Sequence, residues 1–159
     1  MRRYTFSTKE AGSRDAVIWG IVGSEAAKFT PEAEASARYK IVGLLRPGDV
    51  VVSGCCPRGG VDDWAEEIAL ELRLPFVGYR PLTHDWEGFK ARNIQIAEAY
   101  EQGVCITPRE LAPDYRGRRV KGCYHCRRDD QPDDHVVSGG CWTLQYGRRL
   151  GKPGRVIIV

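Results

Sequence analysis

No stretch of this 159-residue chain stays apolar long enough to cross a bilayer, which excludes a helical membrane protein. The opening MRRYTFSTKE carries basic residues with no apolar core behind them, so no secretory leader is expected and the protein reads as cytoplasmic. The formal net charge is only +3, too small by itself to imply a polyanionic partner. Without a leader, the six cysteines are expected as thiols or metal ligands in a reducing compartment and not as a disulfide framework. Also missing is a pair of carboxylates set apart by spacing: Asp62, Asp63, Asp85 and Glu87 are all available, and no pattern selects one as a catalytic acid.

What is present fits one soluble domain with a real core, at 42% apolar and 28% charged residues. Apolar β-branched runs at 16–22, 50–52, 76–79, 103–106 and 155–159 read as buried strands. Between them lie amphipathic helical patterns. One opens at Thr30-Pro31, an N-cap followed by proline in the first turn, and is stopped by Arg46-Pro47-Gly48. The others cover 61–72, 87–102 and 142–150. Strands alternating with helices predict an α/β, Rossmann-like three-layer sandwich: a mostly parallel sheet covered by helices on both faces. Ligands in such sheets bind outside the carboxyl ends of the strands, so the loops after strands one to four should converge on one rim.

Two glycine turns on that rim suggest an anion site. The first is Ser53-Gly54-Cys55-Cys56-Pro57-Arg58-Gly59-Gly60, between a strand and the helix at 61–72. The second is Ser138-Gly139-Gly140, opening the last helix. Glycine permits tight turns and close backbone approach, and a helix start favours phosphate. Gly23-Ser24 leaves the first strand at the same edge, and Arg92-Asn93 begins the third helix nearby.

VVSGCCPRGGVDDWAEEIALEL, FKARNIQIAEAY and SGGCWTLQYGRRLGKPGRVIIV together resemble the SLOG superfamily of Rossmann-like domains, nearest its YspA/YpsA-related branch. More distantly they resemble the DNA-processing protein A family and the lonely-guy phosphoribohydrolases. The resemblance covers 16–106 and 138–159 and leaves 107–137 as an insert. It implies a nucleotide or nucleotide-derived ligand held by Gly23, Ser24, Ser53, Gly54, Arg58, Gly59, Gly60, Asp62, Arg92, Asn93, Gly139, Gly140 and Thr143. By residue type, the glycines and helix starts would hold phosphate, Arg58 and Arg92 would clamp it, and Asp62 would accept from a ribose hydroxyl. Self-association into a homo-oligomer is also implied. The phosphoribohydrolases resemble G-G-x-G-T-x-x-E, whereas this chain places Trp142 at the later glycine and Tyr146 at the glutamate. Tyrosine cannot replace a carboxylate at an oxocarbenium-like centre near neutral pH, which favours binding or sensing over hydrolysis.

The insert contains Cys123-x2-Cys126, with His135 nine residues beyond Cys126 and Cys141 fifteen beyond it. Cys-x2-Cys commonly begins a structural zinc site. The expected ligands are Cys123, Cys126 and His135, with Cys141 or His125 as the fourth; Cys141 could instead face the nucleotide ligand. A zinc would also explain how a polar segment of this length is ordered. Cys55, Cys56 and Cys105 read as structural. The function that follows is nucleotide binding, with glycosidic cleavage of a nucleotide as the enzymatic alternative. Single-stranded nucleic-acid binding ranks third, on Arg116, Arg118, Arg119, Lys121, Arg127 and Arg128 interleaved with Tyr115 and Tyr124, because nearby aspartates offset that charge.

Overall fold

The computed structural model describes residues 14–159; the basic opening MRRYTFSTKE lies outside the described residues. Five strands, β1 (Ile18–Gly23), β2 (Val50–Gly54), β3 (Phe76–Tyr79), β4 (Gln102–Thr107) and β5 (Gly154–Ile158), form one sheet. Its order is β3-β2-β1-β4-β5, and every neighbouring pair is parallel. The α/β Rossmann-like sandwich expected from the alternation of patterns is the architecture found. No helix among the described residues is long and apolar enough to cross a membrane.

Side-chain alternation along the strands divides the core in two. Trp19, Ile21, Val51, Val104 and Ile106 point to the face covered by α1 (Pro31–Leu44) and α2 (Val61–Glu71). Val22, Val52 and Cys105 point to the face covered by α3 (Trp86–Ala99), the short α4 (Tyr124–Arg128) and α5 (Gly139–Arg149). The helix starts follow capping chemistry: Thr30 accepts from the Ala33 N–H, Asp85 from Gly88 and Ser138 from Gly140. Asp85 is thus a helix cap.

Two helix boundaries differ by three residues from the sequence expectation, and one short helix is additional. The third helix stops at Ala99, and Gln102 already belongs to β4, where it pairs with Trp19. α5 begins at Gly139, three residues before 142, because Ser138 caps it and Gly140 lies in its first turn. A Cβ at Gly140 would come within 2.7 Å of Cys105 Sγ, so this glycine lets the helix start close against β4. α4 was not expected at all; its five residues lie inside the segment read as an unpatterned loop.

The chain enters the sheet through a buried carboxylate. Asp49, just before β2, accepts from both Arg14 guanidinium ends at 2.9 and 2.6 Å, from the Val17 and Arg46 N–H groups, and from Trp19 Nε1. Burial opposes its charge, but these donors more than compensate and hold its pKa below the usual carboxylate value.

Candidate functional site

The strand order reverses between β1 and β4, so the connections leaving them part there. Above that point lies a cavity of about 540 Å³. Its floor is Val22, Gly23 and Ser24, where β1 ends. The β2–α2 connection supplies Cys56, Pro57 and Arg58, and α2 supplies Asp62. His84, Trp86, Phe89, Arg92, Asn93 and Ile96 come from α3 and the loop before it; Ser138, Gly139, Gly140 and Thr143 come from the α5 start. Arg58 and Gly139-Gly140, some eighty residues apart in sequence, therefore border the same hollow.

Not every expected contact faces it. Gly23, Ser24, Arg58, Asp62, Arg92, Asn93, Gly139, Gly140 and Thr143 line the cavity; Ser53, Gly54, Gly59 and Gly60 do not. Ser53 donates its hydroxyl to the Ile21 carbonyl and is fully buried. A Cβ on Gly54 would lie 2.2 Å from Arg92 Nη1 and 2.6 Å from Asp62 Oδ2, so this glycine makes room for that pair. Gly60 has φ 98° and packs on the backbone of the next loop, where a Cβ would meet the Ser24 carbonyl at 2.3 Å. The Val61 N–H donates to that same carbonyl. Gly54 and Gly60 of the first turn thus serve packing, while Cys56, Pro57 and Arg58 of the same turn face the cavity.

The centre of the site is the Asp62–Arg92 pair. Arg92 Nη1 is 3.8 Å from Asp62 Oδ2, an ion pair too long for a hydrogen bond. Asp62 Oδ1 and Arg92 Nη1 are both buried, and neither has a hydrogen-bond partner among the described residues. Arg92 Nε instead donates to Asn93 Oδ1 at 2.8 Å. Burial pushes the Asp62 carboxyl up to about 6, against the opposing pull of Arg92. A buried carboxyl and guanidinium left incompletely satisfied at a cavity wall suit a polar ligand that completes them.

Several lining groups were not among the expected contacts. Lys28, in a 3-10 turn (Ala26–Lys28) after β1, donates Nζ to the Val137 carbonyl at 3.1 Å; burial lowers its pKa. Glu25 accepts from the Tyr115 hydroxyl at 3.0 Å and pairs with Arg58 Nη1 at 3.4 Å. Tyr115 belongs to the insert and reaches the cavity only because that segment folds back, with the Ala112 N–H on the Lys28 carbonyl. No local signal in the sequence reveals such a return. On the other wall, the stacked rings of His84 and Phe89, with Trp86, offer aromatic surface. Tyr146, at the glutamate position of the phosphoribohydrolase pattern, is not at the cavity; it stacks on Trp142, which meets Trp86 edge-on.

Beside the cavity is a second cluster. The ligand atoms of Cys123, Cys126, His135 and Cys141 all lie within 4.8 Å of one another, and all four residues are buried. A tetrahedral ion with Zn–S bonds of about 2.3 Å would space its ligands about 3.8 Å apart, so the cluster has the right dimensions. Hydrogen bonds from Cys141 shift Cys123 and Cys126 toward thiolate and hold Cys141 itself as the thiol, so an ion bound here would have to displace the Cys141 proton. His135 Nδ1 is 2.9 Å from the Val136 carbonyl and Nε2 3.1 Å from that of Pro132. A ring that gives its one proton to a carbonyl leaves the other nitrogen for a metal. Among the described residues this group is a metal-binding candidate, and Cys141, not His125, completes it; His125 lies against the Tyr124 ring. Cys141 does not line the cavity, so the same helical turn sends its thiol to the cluster and Gly140 and Thr143 to the cavity. Cys105 stands next to the cluster, its Sγ 3.7 Å from that of Cys141.

The basic residues of the insert are partly engaged within it. Arg119 donates to the carbonyls of Ala112, Pro113 and Tyr115, Arg127 pairs with Asp133 at 2.7 Å, and Arg128 lies over the Tyr124 ring.

No protein-family model, curated protein or solved structure matches the chain.

Proposed function

We propose that this protein binds a nucleotide or nucleotide derivative in the cavity at the β1/β4 switch point. The observation that carries this reading is the convergence there of three cations with a buried, unsatisfied carboxyl and an aromatic wall. Lys28, Arg58 and Arg92 supply positive charge for phosphate, together with the start of α5. His84, Trp86 and Phe89 supply flat apolar surface for a base, and Asp62 Oδ1 supplies a polar contact for a sugar hydroxyl. The cavity volume suits a small organic ligand. A thermal-shift series with AMP, ADP-ribose and NAD tests the reading: a ligand at one hundred times its Kd adds about 2.7 kcal/mol of stability, enough to raise the melting temperature by several degrees. No shift with any of the three at millimolar concentration would remove the proposal.

One observation favours an enzymatic second reading. A carboxyl with a pKa of about 6 at a cavity wall is poised for proton transfer near neutral pH, as glycosidic cleavage of a nucleotide requires. Chromatography of the binding mixture would detect the free base.

The metal in this proposal is one Zn²⁺ per chain with a structural role. The reasons are three thiolates and an imidazole, complete burial, and no open coordination position for a substrate. Elemental analysis of protein purified without added metal is expected to give close to one zinc per chain, falling to background in Cys123→Ser. Wild type that purifies with no bound zinc would refute it.

A further inference from the structure

The metal cluster and the ligand cavity are built on one strip of backbone. His135 and Cys141 bracket residues 136–140, and that strip is a wall of the cavity. Within it, Ser138, Gly139 and Gly140 line the cavity directly. The Val137 carbonyl accepts from Lys28 Nζ, and the Val136 carbonyl accepts from the Thr107 hydroxyl, which in turn lies 2.9 Å from Ser24 Oγ. Lys28 and Ser24 are themselves lining residues, so the strip fixes part of the opposite wall as well.

On its own this strip is a poor candidate for order. Two glycines occupy the first turn of α5, and glycine is the weakest helix former after proline. The segment leading into it is polar and irregular. Its anchors are the Ser138 cap, a Val136 N–H bond to the Pro108 carbonyl, the Thr107 and Lys28 bonds to the Val136 and Val137 carbonyls, and the two side chains that enter the cluster. The body of the domain does not share this dependence. The core between the sheet and α1–α2 contains no cysteine, whereas the core beneath α3 and α5 includes Cys123, Cys126 and Cys141.

We infer that the ion held by Cys123, Cys126, His135 and Cys141 assembles the ligand cavity, so that nucleotide affinity is controlled by metal occupancy. Loss of the ion frees the 136–140 strip while the sheet and α1–α2 stay folded. The choice of AMP as a probe rests on the nucleotide reading above; the coupling itself does not.

Amide hydrogen exchange and AMP titration on zinc-loaded and chelator-stripped protein test this. In the stripped protein, amides of 136–143 are expected to lose protection while those of β1, β2 and β4 keep it. The Kd for AMP is expected to rise at least tenfold and to recover when zinc is returned. Because coupling is reciprocal, saturating AMP should slow zinc transfer to a chromogenic chelator. Unchanged protection at 136–143, or equal AMP affinity with and without zinc, overturns the inference. So does loss of protection across the whole sheet, since the ion would then hold the entire fold. If loaded protein fails to bind AMP, the nucleotide reading falls, and the exchange pattern still decides this one. Should stripping aggregate the protein, Cys126→Ser, which keeps three ligands, is read by the same exchange criteria.

Discussion

Asp62→Asn is expected to make the free protein more stable near pH 7.5 while weakening its hold on a nucleotide. The Asp62 carboxyl is raised to about 6 in the folded protein from its ordinary 3.8, chiefly by burial. A carboxyl raised in this way favours folding while protonated in both states. That contribution is complete below its unfolded pKa and is lost as pH rises through about 6. At neutral pH the wild type therefore carries a desolvated charge that Arg92 at 3.8 Å compensates only in part. Asparagine is shaped like the protonated acid and has no charge to desolvate. A shift of this size corresponds to a gain of about 1–3 kcal/mol above pH 7, with little difference at pH 4. Urea melts of both proteins from pH 4 to 8 check the sign: the difference should grow between pH 4 and 7. Parallel profiles would mean that Asp62 is not the source. AMP affinity measured on the same samples should fall at least tenfold, the pattern of a group retained for function at the expense of stability.

Asp49→Ala should act in the opposite direction and more strongly. Five donors converge on this fully buried carboxylate, and removing it takes away the acceptor shared by two backbone N–H groups, the Trp19 indole and the Arg14 guanidinium, which keeps only its bonds to the Asp15 and Leu44 carbonyls. Breaking one side of such a pair costs about 3–5 kcal/mol. In a domain of this size that is a fall of about 10 °C in melting temperature. Asp49 lies outside the cavity, so ligand affinity of the fraction still folded should not change. The pKa of Asp49 is depressed, so its contribution is present above the unfolded value and is lost as pH falls through the folded one. The gap between wild type and variant should therefore narrow in acid. A loss below about 1 kcal/mol at pH 7 would show that the Arg14 anchor is dispensable.

The two substitutions also show which parts of the molecule could be read in advance. Strand and helix order followed from hydrophobic period, and Thr30-Pro31 marked a helix start through chemistry confined to neighbouring residues. Cys123-x2-Cys126 announced a metal cluster for the same local reason, since two thiols three residues apart fit one turn. Whether Cys141 belonged to the metal or to the ligand was not legible, because residues one or two apart on a helix point in different directions and only the packing of α5 fixes which direction is which. Gly59 and Gly60 were legible as a turn but not as a packing contact with Ser24, a residue from another loop. Tyr115 entered the site through the return of the insert, a long-range event with no periodic trace, and met there Glu25, which leaves β1 at the same rim.

By itself, then, the sequence determined an alternating parallel α/β chain, the rim where its loops gather, and the four side chains of a metal cluster with one alternative left open. These depend on backbone geometry and short-range spacing. Tertiary structure alone decided that Cys141 turns to the cysteine–histidine group, that Gly60 packs against Ser24, and that Asp62 and Arg92 meet buried and incompletely satisfied. Such outcomes depend on which surfaces the folded chain brings within a few ångströms of one another, and no local pattern encodes that.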